Sequence, residues 1–164
     1  MADATPLEWR LLDMASENLA WEEAAADSML AKLSARGNMA LGMLGMLIAS
    51  ATIAPPVGAG SWLLAVAAGI FAGAIAMSLL GTSIVKIVRP STAAAYLQHV
   101  TGATEAGTSE QPLVRQIIEQ LSVGATEQQS RNTKVKPKVV LSGWLLLVGC
   151  VVWALGLAFV LSMA

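Results

Sequence analysis

Hydrophobic positions fall into three long runs separated by two polar blocks, and this alternation predicts the elements. From Gly37 through Val85 there is no Asp, Glu, Lys, Arg or His. At ~1.5 Å rise per residue, about 20 residues cross a hydrocarbon core of ~30 Å, so the run is too long for one crossing. Pro55-Pro56-Val57-Gly58-Ala59-Gly60-Ser61 supplies the turn, and the run reads as a transmembrane hairpin over 37–89, with spans over about 38–55 and 62–85. Trp62 stands where an interfacial aromatic belongs, and Lys86, Arg89 and Pro90 close the second span. A third uncharged run over 139–164 follows Lys134, Lys136, Pro137 and Lys138.

The polar blocks read as helical too. Thr5-Pro6-Leu7-Glu8 offers an N-cap threonine, proline at the first helical position and glutamate at the third, a capping box for a helix over 5–36. Along it Leu7, Leu11, Met14, Trp21, Ala25 and Leu33 recur at steps of three, four or seven or their sums, with Asn18 on the stripe as a candidate register-setting residue. That stripe suits a partner helix or a membrane surface. In the second block a short helix is expected from Ser91 to Val100, then a breaker from Thr101 to Pro112. A second helix follows from Leu113 to about Asn132, with Leu113, Ile117 and Leu121 on its apolar face and Gly124 weakening its centre.

The expected fold is therefore an all-α membrane protein with three transmembrane helices, a hairpin plus one. A long N-terminal cytoplasmic helix (1–36), the hairpin (37–89), a helical cytoplasmic insert (90–138) and the third span (139–164) make up the chain. Composition agrees: of 164 residues, 55% are hydrophobic and only 13% charged, a balance that would leave a water-soluble fold with sticky surface. All ten Lys and Arg and all eleven Asp and Glu lie within 1–36 and 86–138. Basic residues flank the spans on the polar-block side only, which predicts a cytoplasmic N terminus and an external C terminus in the inner membrane. The acidic, amphipathic first 36 residues are unlike a cleavable leader, so the spans themselves are expected to drive insertion. A net charge of −1 carries no basic field for nucleic acid.

Candidate chemistry is sparse. His99 is the one histidine, Glu105 and Glu110 are its only candidate metal-ligand neighbours, and no phosphate loop is present, so neither a metal, a cofactor nor enzymatic activity is expected. No ionisable group other than Cys150 interrupts a span, which argues against active transport, and Cys150 reads as a small apolar residue. The spans instead display small residues at helical spacing. Gly69 and Gly73 form a GxxxG pattern, flanked by Ala65 and Met77, that suits close helix packing within the chain or self-association into a homo-oligomer. Ser78, Thr82 and Ser83 offer hydroxyls to such a seam.

This order of features resembles the transmembrane effector family of the Pycsar anti-phage systems. Ser34-Ala35-Arg36-Gly37-Asn38-Met39-Ala40 stands where that family opens its first span with an Asp-x-Lys-Ala-like segment, and Val88-Arg89-Pro90 where it ends its second with a Pro-Arg-like one. The resemblance implies a resting membrane protein, partnered functionally by a pyrimidine cyclase, that binds cyclic UMP or cyclic CMP. On binding it assembles and impairs the inner membrane, causing abortive infection. Such a ligand needs a basic group for its phosphate, polar donors and a stacking surface, for which Arg36, Asn38, Arg89, Tyr96, His99, Arg115 and Arg131 are the candidates. A membrane scaffold that recruits a cytoplasmic partner, with neither ligand nor pore, fits the N-terminal stripe equally well.

Overall fold

The computed structural model describes residues 5–53, 59–85 and 110–163. They form three helices and, among the described residues, no strand: α1 Pro6–Ile53, α2 Ala59–Ile84 and α3 Glu110–Met163. The start of α1 is the capping box read from the sequence. Thr5 N–H donates to Glu8 Oε2 at 2.8 Å, and Glu8 N–H returns to Thr5 Oγ1 at 3.4 Å.

Two expected boundaries are absent. α1 runs without a break through Gly37 and Asn38, so the polar helix and the apolar segment after it are one element of 48 residues. α3 likewise runs 54 residues through Gly124 and Pro137. Glycine inside a helix costs about 1 kcal/mol and a proline removes one backbone hydrogen bond, at ~3 kcal/mol. Both are local penalties, and packing on either side of each site opposes them. A Cβ added at Gly37 would sit 3.2 Å from Ser78 Cβ, and one at Gly124 3.8 Å from Leu19 Cδ1, so both glycines are seated against a neighbour. Pro112, placed at the end of the breaker by the sequence, lies in the first turn of α3, where its missing N–H has no intrahelical partner to lose. The helix expected over 91–100 lies outside the described residues.

Buried positions recur every seven residues, the period of knobs-into-holes packing. In α1 these are Leu19, Ala26, Leu33, Ala40 and Leu47; in α2, Leu64, Phe71 and Ser78, with Val85 just past its end; in α3, Val114, Leu121, Gln128, Val135, Ser142, Gly149 and Gly156. The seam of α1 thus meets the expected stripe at Leu33, which is fully buried, and departs from it towards the N terminus, where Leu7, Leu11, Met14 and Trp21 are exposed, as is Asn18.

The chain divides into two compact units. Unit 1 draws on residues up to Asp27 and on 110–133; unit 2 on 28–53, 59–85 and 134–163. Within unit 1, α1 and α3 are parallel and close on Leu19, Ile117 and Leu121, with Leu12, Ala15 and Ala125 against them. A polar layer crosses the same seam. Asn132 Nδ2 donates to the Glu22 carbonyl at 2.9 Å and to Glu22 Oε2 at 2.7 Å, and Gln128 Nε2 donates to Asn132 Oδ1 at 3.3 Å.

Unit 2 is a three-helix arrangement in which α2 runs against α1 and α3. Its core is Ala40, Leu47, Ala67, Phe71, Ala74 and Leu146, with Cys150 and Trp153 packed on it. Glycines set the closest approaches: a Cβ at Gly81 would lie 2.6 Å from Leu33 Cδ1, and one at Gly149 2.6 Å from Phe71 Cε1. Two helices are long and apolar enough to cross a membrane, α2 over Gly60–Ile84 and α3 over Glu110–Ser162. The apolar part of α1, entered through Arg36 and Asn38, does not reach the same measure among the described residues.

Candidate functional site

The unit 2 surface is inverted relative to a protein in water. Only 28% of the most apolar stretch of α2 and 17% of that of α3 is buried, and Trp62, Leu79, Trp144 and Leu155 stand more than half exposed. Exposed apolar area on this scale marks an interaction surface or contact with lipid. The three candidate hydroxyls of α2 turn back onto their own helix. Ser78 Oγ donates to the Ala74 carbonyl at 2.9 Å, Thr82 Oγ1 to Leu79 at 2.8 Å and Ser83 Oγ to Leu80 at 3.0 Å, each within its own helix. Gly69 faces open space, and a Cβ at Gly73 would meet only Leu145, at 3.8 Å.

Unit 1 carries an open cleft of about 530 Å³ between the first turns of α1 and α3, lined by Leu7, Leu11 and Ile118 and by Glu8, Gln111 and Arg115. Its polar groups converge on one carboxylate. Glu8 Oε1 accepts from Arg115 Nε at 2.8 Å and from Gln111 Nε2 at 3.1 Å, while Oε2 accepts the Thr5 N–H. The Thr5 backbone N–H first, then Arg115 and Gln111, lower the Glu8 pKa from 4.5 to about 2 against an opposing desolvation effect. Glu8 is therefore ionised at neutral pH. An anionic ligand reaching Arg115 from this cleft meets that charge and has to compete with it, although the Arg115 side chain remains 68% exposed.

The other sequence candidates are dispersed. Arg131 pairs with Glu127 one turn before it on α3. Arg36 donates to the main-chain carbonyl of Val139 and reaches Ser142 Oγ at 3.5 Å. Room for it comes from Gly143, whose added Cβ would lie 3.0 Å from Arg36 Cζ. Asn38 is exposed two residues further along α1. Arg89, Tyr96 and His99 lie outside the described residues, as does Glu105. Among the described residues no three His, Cys, Asp or Glu are grouped to hold a metal ion, and Cys150 is a free thiol.

Sequence reasoning cast Glu8 only as a cap and missed Glu22, Gln128, Asn132, Ser142 and Gly143. The seven-residue spacing of Gln128, Val135, Ser142 and Gly149 was the available signal, obscured because two of those residues are polar and one is glycine. Comparison of the chain with known protein families, curated proteins and solved structures finds no match.

Proposed function

We propose that the chain is a multi-pass inner-membrane effector in which the helices of unit 2 lie in the bilayer and a signal received by the polar segments drives assembly and loss of membrane integrity. The observation that carries this reading is the outward-facing apolar surface of α2 and of α3 beyond Lys138, joined to the absence of any Asp, Glu, Lys, Arg or His over 37–85 and 139–164. Such segments are stable in lipid and hold no charged group for ion-coupled transport or membrane catalysis. In this reading the spans are three, over about 38–55, 62–85 and 139–164, with a cytoplasmic N terminus and an external C terminus. The exposed Gly69 supports a homo-oligomer contact.

The trigger proposed is cyclic UMP or cyclic CMP made by a partner pyrimidine cyclase, and the outcome abortive infection. Ligand identity rests on the resemblance to the Pycsar effectors alone, and Arg36, Asn38, Arg89, Tyr96, His99, Arg115 and Arg131 are its candidate contacts. A ligand acts here only by binding the assembled state better than the resting one. Purified protein in dye-loaded liposomes is expected to release dye on addition of one of these nucleotides and to bind it by calorimetry. Silence in both measurements removes the ligand-gated reading.

A second reading is favoured by the exposed Leu7, Leu11 and Met14 of α1, which offer an amphipathic face to a partner helix. There the chain is a membrane scaffold without ligand or pore. Crosslinking in cells separates the two, because a scaffold gives a constitutive complex that no nucleotide alters.

A further inference from the structure

Charge is segregated between the units. Unit 2 holds Lys32, Arg36, Lys134, Lys136 and Lys138, half of the ten cationic residues, and none of the eleven acidic ones. Among the described residues none of these five is in an ion pair. Arg36 binds only neutral oxygens, and Lys138 Nζ donates to the Lys134 carbonyl at 3.1 Å. They also share one level. Arg36 meets Val139 and Ser142, so at ~1.5 Å per residue Lys32 lies about 6 Å before that level on α1, and Lys134 about 7.5 Å before Val139 on α3. All five therefore fall in a band about 8 Å deep. At ~100° per residue Lys134 and Lys138 share a face of α3 while Lys136 points elsewhere, which spreads the charge around the helix.

Directly beyond this band, α3 turns an apolar stripe outward: Val140, Leu141, Trp144, Leu147, Val148 and Val151 are all exposed. A cationic collar above an exposed hydrocarbon-like strip matches one kind of molecule, with a negative head and an apolar tail. We propose that the Lys134–Lys138 segment, with Lys32 and Arg36, forms a binding site for anionic phospholipid headgroups whose acyl chains lie along Val140, Leu141 and Trp144. A soluble anion or an acidic peptide would satisfy the cations but leave the strip uncovered. Long lysine stems lie along apolar surface while their ammonium groups reach the headgroup layer. Each cation near an anionic surface favours contact by about fivefold.

This inference rests on reading unit 2 as membrane-embedded, and the test separates the two. Trp144 lies about 9 Å from Lys138 along α3, and Trp62 is at the opposite end of unit 2. A variant retaining Trp144 alone (Trp9→Phe, Trp21→Phe, Trp62→Phe and Trp153→Phe) is placed in phosphatidylcholine vesicles containing about 30% phosphatidylglycerol, with one lipid or the other brominated. Expected is quenching by both, with phosphatidylglycerol favoured at least about fivefold per lipid present, the effect of a single cation. The preference should fall towards unity in the Lys134→Gln, Lys136→Gln, Lys138→Gln triple variant and on raising salt. Inorganic phosphate should reduce it no more than chloride of equal ionic strength. A Trp62-only variant should show no preference. No quenching by any brominated lipid overturns the membrane reading; equal quenching by both overturns the lipid site alone; displacement by phosphate beyond the chloride control assigns the collar to a soluble anion instead. If the Trp144-only variant does not fold, spin-labelled phosphatidylglycerol and phosphatidylcholine with the unmodified chain give the same comparison.

Discussion

Asn132 Nδ2 donates to both the main-chain carbonyl and the carboxylate of Glu22, at 2.9 and 2.7 Å, tying α3 to α1 within unit 1. Asn132 and Gln128 are almost fully buried, so each missing partner in this layer leaves a desolvated polar group. Asn132→Ala is expected to destabilise the unit 1 helix pair by about 1–3 kcal/mol. Glu22→Gln, which keeps both acceptor oxygens, should cost less. Hydrogen exchange of the amides over 110–133 checks both, and equal losses for the two variants would refute the assignment of Asn132 as the donor that ties α3 to α1.

How much of this was legible in the chain depends on the range of the interactions concerned. The Thr5–Glu8 cap is written within four residues, and the structure forms it. Breaks at Gly37 and before Pro137 were inferred from local propensity, and packing of Gly37 against Ser78, 41 residues away, is invisible to such a reading. The α1 stripe has the right period and coincides with the seam at Leu33, but its N-terminal members do not. Leu7 and Leu11 are as apolar as Leu19 and Ala26, and only the partner helix decides which set is covered. For the site, Arg36 and Arg115 were chosen for their charge, whereas their partners Val139, Ser142 and Glu8 are set by contacts more than a hundred residues apart in sequence.

The glycines of unit 2 separate internal packing from any contact between copies. Gly81→Ala places a Cβ 2.6 Å from the fully buried Leu33, and overpacking of this kind costs about 1–3 kcal/mol. Gly69→Ala meets open space and should be neutral or stabilising for the single chain. Unfolding in detergent micelles reads both. A loss at Gly69 equal to that at Gly81 contradicts this placement, whereas a Gly69→Ile variant that folds normally but no longer self-associates would locate a contact between copies.

Glu8 gives unit 1 a pH dependence of defined sign. Its pKa is lowered on folding from 4.5 to about 2, so the interaction contributes fully above pH 4.5 and is lost as the pH falls through about 2. Protection of the first turns of α1 and α3 should decline across that window and stay flat from pH 5 to 8. Glu8→Gln should flatten the profile. A wild-type profile unchanged between pH 5 and 2 would show that Arg115 and the Thr5 N–H do not hold the carboxylate.

The Arg36 contact predicts a coupling that only a double variant reveals. The guanidinium binds the Val139 carbonyl and reaches Ser142, and it lies over Gly143 because that residue has no side chain. Gly143→Ala should displace it, since the new Cβ would stand 3.0 Å from Cζ. Arg36→Met removes the donor and leaves Ser142 bonded to the Val139 carbonyl, its other partner, at 2.9 Å. Each single change is expected to cost about 1–3 kcal/mol. In the Arg36→Met background the slimmer thioether no longer occupies the space over Gly143, so Gly143→Ala should add little, giving a coupling energy of about 1 kcal/mol or more. Arg36→Lys should not restore the wild type, because a single ammonium lacks the planar fork that spans two acceptors. Strictly additive losses in the double variant would mean that Gly143 is small for a reason unrelated to Arg36.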